Sequence, residues 1–239
     1  PKASKKMAFA YDNIWQYSGM DLAVAHRAFV FRDDFSKSLT EPLLVFDRVS
    51  AHLDRPGAIL GWAEPEWLYC SRASHDGHFV LCSIAPNLSF FAHVPVEQPV
   101  VLPQPPATKT PLQKKFYVIF HVIDGDGLTN TIARYHSQSM LGWDSPDRGE
   151  IPIAWTVQPL LLEYAPSLLE YYAKTATPND GFMSGASGAG YAYPSLMPTI
   201  PEFGLQTQKF LAQANLHSAD LWDLFFYDLE ISHRYLSVD

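Results

Sequence analysis

Residues 116–126 read FYVIFHVIDGD. From Phe116 to Ile123 the run is apolar apart from His121, and rich in aromatic and β-branched side chains. An unbroken run of this kind predicts a strand over 116–123 covered on both faces, as strands of a parallel sheet are. It stops at Asp124-Gly125-Asp126, residue types that favour a turn and that put two carboxyls at the strand end.

Toward the C-terminus the pattern alternates. Gly127 to Met140 reads as a helix and Ile151 to Val157 as a second strand. Pro159 suits the first turn of the next helix, whose apolar face is Leu161, Leu162, Ala165, Leu168, Leu169 and Tyr172. Pro166 lies inside that pattern and predicts a kink or break. Asp180 to Ser184 is a short third strand, and Gly204 to Leu216 and Ser218 to Leu236 read as helices, with Ser218 as a cap. Such alternation implies right-handed crossovers between parallel strands. The carboxyl ends of these strands share one face, and ligands bind there. Three pieces are therefore expected to meet in one cleft: Asp124 and Asp126; Trp155, Thr156 and Gln158; and Ser184 to Pro194. Three strands do not close a barrel, so an uncovered sheet edge is expected, hidden by Leu221 to Leu229, by the first domain or by another chain.

Toward the N-terminus, prolines at 95, 99, 103, 105, 106 and 111 exclude a helix or a central strand and mark an extended connector. Before it, Met20 to Phe31 reads as a helical turn and then a strand, and Pro42 to Leu53 as a helix. Ala58 to Trp62 and Phe79 to Ile84 read as strands, the latter after the turn signal Asp76-Gly77. The expected fold is α/β: a small α/β domain over 1–94, a connector over 95–113, and a partial parallel (β/α) barrel-like domain over 114–239.

The third strand runs into SGASGAGYAYPSLMP, residues 184–198. Its glycines permit close backbone approach, its tyrosines carry flat apolar faces with polar tips, and its prolines stiffen the exit. An ordinary surface turn is the alternative. Gly188 to Pro194 reads G-x-G-Y-x-Y-P and resembles the GxGYxYP family of glycoside hydrolase-like proteins. Asp124-Gly125-Asp126, Ile151 to Trp155, Pro159 and Glu163 to Pro166 resemble the same family. Asp21, Phe29 to Phe31, Gly61-Trp62 and Asn87 to Ser89 resemble its preceding domain. The resemblance implies glycoside hydrolysis, an extracellular or secretory setting, and a longer chain with more strands, of which this is a fragment or a shortened relative. The family pattern has Asn where this chain has Gly127, which removes an amide beside the acidic turn.

Glycoside hydrolysis needs two carboxyl groups. Asp124, Asp126 and Glu163 are the catalytic candidates; the alternatives are a turn-stabilising pair and a helix-dipole partner. Trp155, Tyr191 and Tyr193 are candidates for stacking on sugar rings, with core packing as the alternative. Gln158, Ser184, Ser187, Gly188 and Gly190 complete the expected substrate contacts. Asp124-Gly125-Asp126 is too short for a calcium loop, and His121 and His136 are not an i, i+4 pair, so no metal is expected. No cofactor is expected either, since the dinucleotide, phosphate-loop and G-x-S-x-G patterns are absent.

The net charge of −8 argues against a nucleic-acid partner, and no apolar run is long enough for a membrane span. No signal peptide is visible in a chain that starts at Pro1. Cys70 and Cys82 are read as two buried thiols, with a disulfide as the alternative. Asn87-Leu88-Ser89 has the form of a glycosylation site but is read as a buried Asn holding a turn. Three functions stay open: a glycoside hydrolase, a non-catalytic carbohydrate-binding or structural relative, and a subunit that self-associates through its sheet edge.

Overall fold

The computed structural model describes residues 2–11, 19–32, 40–82, 85–97, 99–106, 111–128, 130–134 and 142–223. The fold is α/β with two parallel sheets. The first contains β1 (Met7–Tyr11), β2 (Phe29–Arg32), β3 (Ala58–Gly61) and β4 (Phe79–Leu81), in the order β2-β1-β3-β4. Its helices are α1 (Met20–Ala25), α2 (Thr40–Ser50), α3 (Glu66–His75) and the short α4 (Leu88–Phe91).

The central strand, β1, was not anticipated from sequence. Met7-Ala8-Phe9-Ala10-Tyr11 is short and alanine-rich, and alanine has little strand preference. Pairing on both sides makes it a strand: Ala8 lies opposite Phe29 of β2 and opposite Ile59 of β3. Helix α3 was missed as well. Its buried residues Tyr69, Cys70, Ala73 and Ser74 have the spacing of one helical face.

The second sheet contains β5 (His121–Val122), β6 (Ile153–Val157) and β7 (Asp180–Ser184), parallel and in chain order. Strand β5 corrects the expectation for 116–123. Among the described residues it pairs with β6 alone, so it is an edge; Phe116 to Phe120 are exposed, and of them Phe120 reaches the ladder, its carbonyl accepting from Ala154 N–H (3.0 Å). Beyond β7 the sheet is extended by backbone pairing at residues 218–220. Ser184 N–H donates to Ser218 O (2.9 Å), and Asp220 N–H donates to Ser184 O (3.0 Å). Residues 218–223 are thus not helical, which corrects the first turn of the helix expected over 218–236; its residues 224–236 lie outside the described residues.

The break expected at Pro166 is present. Helix α5 (Leu161–Tyr164) stops, and α6 (Pro166–Thr175) restarts with the proline in its first turn. Helix α7 (Ile200–Ala214) begins before Gly204, again with a proline in its first turn. Of the helix expected over 127–140, residues Asn130–Arg134 form a wide π-type turn, and 135–140 lie outside the described residues. The proline-rich segment forms neither helix nor strand where described. It still packs: Val100 and Leu102 are buried, and the Gln104 amide donates to Phe182 O (2.9 Å) and Asn215 O (3.0 Å). Asn87 is exposed in a left-handed turn, which corrects its expected burial, while its carbonyl accepts from Phe90 and Phe91 N–H. Cys70 and Cys82 are free thiols.

The two sheets share one apolar core, in which Phe9, Leu60 and Phe79 meet Trp155, Phe182 and Phe203. A seam of backbone bonds joins them. Val80 and Tyr191 exchange two hydrogen bonds of 2.8 Å, and Leu128 N–H donates to Cys82 O (3.0 Å). The G-x-G-Y loop thereby adds an antiparallel step to the outer edge of β4, and so brings the carboxyl ends of both sheets together. No helix among the described residues is long and apolar enough to cross a membrane.

Candidate functional site

The site is built on the turn after β5. Gly125 N–H donates to Thr156 Oγ1 (2.9 Å), whose hydroxyl donates to Val122 O (2.7 Å). A Cβ on Gly125 would lie 1.8 Å from Thr156 O, so the turn can press onto the end of β6 only as glycine. From the other side, a Cβ on Gly185 would lie 2.4 Å from Asp126 N, while Gly185 N–H donates to Val157 O (2.9 Å). The ends of β5, β6 and β7 thus lock together through glycines, as the strand alternation requires. Beside Gly127, the space near its Cα holds the Asn130 amide, which donates to Asp124 O (2.9 Å).

Asp124 is exposed, with a left-handed backbone (φ 70°). Asp126 sits deeper. It keeps some access to solvent, yet its carboxyl is pushed up to about 6. Desolvation is the main cause, its own backbone N–H opposes it, Asp124 and Glu66 push the same way, and the Cys82 thiol pulls back. Burial, with Glu66 and Asp126 nearby, pushes the thiols of Cys70 and Cys82 up, so both stay protonated and Cys82 serves as a donor to Asp126.

Glu66 is the residue that sequence reasoning missed. It opens α3, which follows the carboxyl end of β3. Tyr191 Oη donates to Glu66 Oε1 (2.9 Å), and the Tyr191 and Tyr193 hydroxyls lie 3.1 Å apart. Burial, the Tyr193 hydroxyl and the nearby Cys70 and Glu66 raise the Tyr191 phenol far above its ordinary range, so it remains a donor. The available signal was Pro65-Glu66 just after a strand end, visible only once α3 is recognised.

The remaining candidates separate. Tyr191 and Tyr193 are 3% and 5% exposed, stacked edge-on against each other (5.5 Å), with Trp222 against Tyr191 (6.0 Å). Their rings are packed inside and offer no open face to a sugar, which corrects the stacking expectation; their hydroxyls are what reach the site. Trp155 is core: its Nε1 donates to Asp180 Oδ1 (2.8 Å) and its ring meets Trp143 at 5.1 Å. Ser184 and Ser187 are buried and tie the loop to itself, Ser184 Oγ to Gly188 O (2.8 Å) and Ser187 Oγ to Ala192 O (2.6 Å). Gly190 is pressed against the Phe79 ring. None of these four presents a group to a ligand. Gln158 is buried at the end of β6; its Oε1 accepts from Leu160 N–H (3.2 Å), and its Nε2 has no partner among the described residues. Glu163 is exposed on α5, where it acts on Tyr164 and not as a leading influence on Asp126. Elsewhere, a cavity of about 510 Å³ opens on the exposed flank of β5, lined by Phe120, Val122, Ile151 and Trp155. No group of three or more His, Cys, Asp or Glu suited to a metal occurs among the described residues.

Residues 114–228 match the family model described as "GxGYxYP putative glycoside hydrolase C-terminal domain". Among solved structures, one described as a putative hydrolase from Bacteroides thetaiotaomicron VPI-5482 aligns with a TM-score of 0.84 at 23% identity. The alignment covers 98% of this chain and 45% of that one, so the chain spans less than half the length of that protein. At this identity the likeness shows the fold. No curated protein matches the sequence. Asp124, Asp126 and the loop carrying Tyr191 lie within the matched segment, whereas Glu66 precedes it. Over residues 114–228 this chain is therefore similar to the GxGYxYP C-terminal domain.

Proposed function

We propose that the recess around Asp126 handles carbohydrate and hydrolyses a glycosidic bond. The carrying observation is the state of Asp126. Its carboxyl stands at a strand end among groups that strip water from it, and the charged side chains with the largest effect on it are both acids. A carboxyl held near 6 keeps its proton long enough to give it to a departing sugar oxygen. The exposed Asp124 adds a polar group suited to sugar hydroxyls. The family description supports the substrate class.

The test is a panel of methyl α- and β-glycosides and unsubstituted oligosaccharides, whose leaving oxygen must be protonated, with the wild-type chain and Asp126→Asn. We expect the variant to lose about 1,000-fold in turnover. Wild-type turnover should fall as pH rises through about 6, because the acid is then spent. Turnover retained in Asp126→Asn would overturn the proposal. Oligosaccharide binding without turnover in either protein would favour a sugar-binding relative that has lost catalysis.

A further inference from the structure

We propose that Glu66 is the second carboxyl of this site, the base that activates water, so that the site is completed by sequence preceding the family domain. The inference rests on the hydrolytic reading above. That chemistry requires two carboxyls with different tasks. Asp124 shares the exposed turn with Asp126, and Glu163 stands on the surface of α5. Glu66 is placed otherwise. It comes from a separate element, is only partly exposed, and is held at Oε1 by the Tyr191 hydroxyl.

Its helix is clamped to the loop that carries Tyr191. Tyr193 N–H donates to Ser74 Oγ (2.8 Å), Ser74 Oγ donates to Cys70 O (2.7 Å), and Cys70 packs in one apolar cluster with Tyr191 and Tyr193. Glu66 therefore cannot shift without moving the tyrosine loop. Both acids are also tied to β4: the turn after Asp126 reaches the end of β4 through Leu128 N–H to Cys82 O (3.0 Å), and Tyr191, which holds Glu66, pairs with Val80 of β4 (2.8 Å). Glu66 in turn is one of the two acids that push up the Asp126 carboxyl.

In the step this assigns, Glu66 Oε2 takes a proton from water, and the water oxygen bonds to the anomeric carbon. The bond from that carbon to the leaving oxygen breaks, its electron pair stays on the oxygen, and the oxygen takes the Asp126 proton. Glu66 ends protonated and Asp126 ionised, and exchange with solvent restores both. Tyr191 is a positioning residue in this scheme.

The test uses the full chain with Glu66→Gln, which keeps an acceptor for Tyr191, and Glu66→Ala. On the same panel of methyl glycosides and oligosaccharides we expect kcat to fall about 100-fold in Glu66→Gln with KM nearly unchanged. Azide, which needs no base, should restore turnover in Glu66→Ala. Independently of turnover, a carbon-13 NMR titration should show the Asp126 midpoint lower in Glu66→Gln than in wild type, because a like charge has been removed. Wild-type-like kcat in Glu66→Gln, alongside an inactive Asp126→Asn, would overturn this assignment and leave the hydrolytic reading intact. An unmoved Asp126 midpoint would overturn the pairing whatever the turnover. A panel with no wild-type turnover would overturn the hydrolytic reading and this assignment with it.

Discussion

Asp180 and Asp126 stand at opposite ends of the second sheet, and the fold treats them oppositely. Asp180, at the amino end of β7, is 2% exposed. Its carboxylate is matched on every side: by the Arg148 guanidinium, by Trp155 Nε1–H (2.8 Å) and by Thr177 N–H (2.7 Å). Arg148 in turn lies 4.1 Å over the Trp143 ring. Asp126, beyond the carboxyl end of β5, meets a thiol and two acids instead. The first arrangement neutralises a buried charge and serves the architecture. The second leaves a carboxyl disfavoured as an ion, a condition that proteins concentrate where chemistry is done. The same residue type is thus neutralised at one end and disfavoured as an ion at the other, because of what was brought beside it.

The contrast can be broken most forcefully at Arg148. Arg148→Ala strands a buried carboxylate and should destabilise the protein by about 3–5 kcal/mol, measured by chemical denaturation. A wild-type midpoint would mean that Asp180 does not depend on its cation, and the contrast would lapse. The opposite sign is expected at Asp126. Folding raises its pKa from 3.8 to about 6, so the folded state binds this proton more tightly than the unfolded chain. Stability therefore falls as pH rises between those values, and the deficit persists above them. Asp126→Asn should stabilise by about 3 kcal/mol at alkaline pH, with the gain fading as pH falls through the same window. Loss of stability at high pH in this variant would show that the carboxylate is matched after all. The smallest effect is expected at Tyr191→Phe, which deletes the hydrogen bond to Glu66 and the one shared with the Tyr193 hydroxyl and should lower stability by about 1–2 kcal/mol. A cost indistinguishable from zero, by thermal denaturation, would mean that the hydroxyl does not hold Glu66.

Much of the second sheet could be read locally. The core of 151–157 is an apolar run, Phe182-Met183 a shorter one between Gly181 and Ser184, and Pro166 announces its own break through the missing N–H and the ring clash. The candidate acid Asp126 was legible too, since a strand end followed by acids and glycines places it at the ligand-binding face. The first sheet was harder. Strand β1 owes its form to partners on both sides, and α3 hides its helical face behind Pro65 and a mixed composition, so Glu66 went unnoticed. The tyrosines were legible as a pair on a stiff loop, but the direction of their rings was not. Whether a ring faces solvent depends on Trp222 and α3, which the loop's own residues do not specify.

Residue order and chemistry along the chain sufficed to settle the α/β class, the parallel second sheet, the family resemblance and the position of one acid. Those features follow from periodicity, proline geometry and turn chemistry, all of which act between near neighbours. Tertiary docking alone decided that Glu66 meets the Tyr191 hydroxyl, that the tyrosine rings pack inward, and that Asp126 is held near 6 while Asp180 is matched by Arg148. Desolvation and Coulomb forces depend on separation in space, and residues remote in the chain are brought close only when the two sheets close on each other.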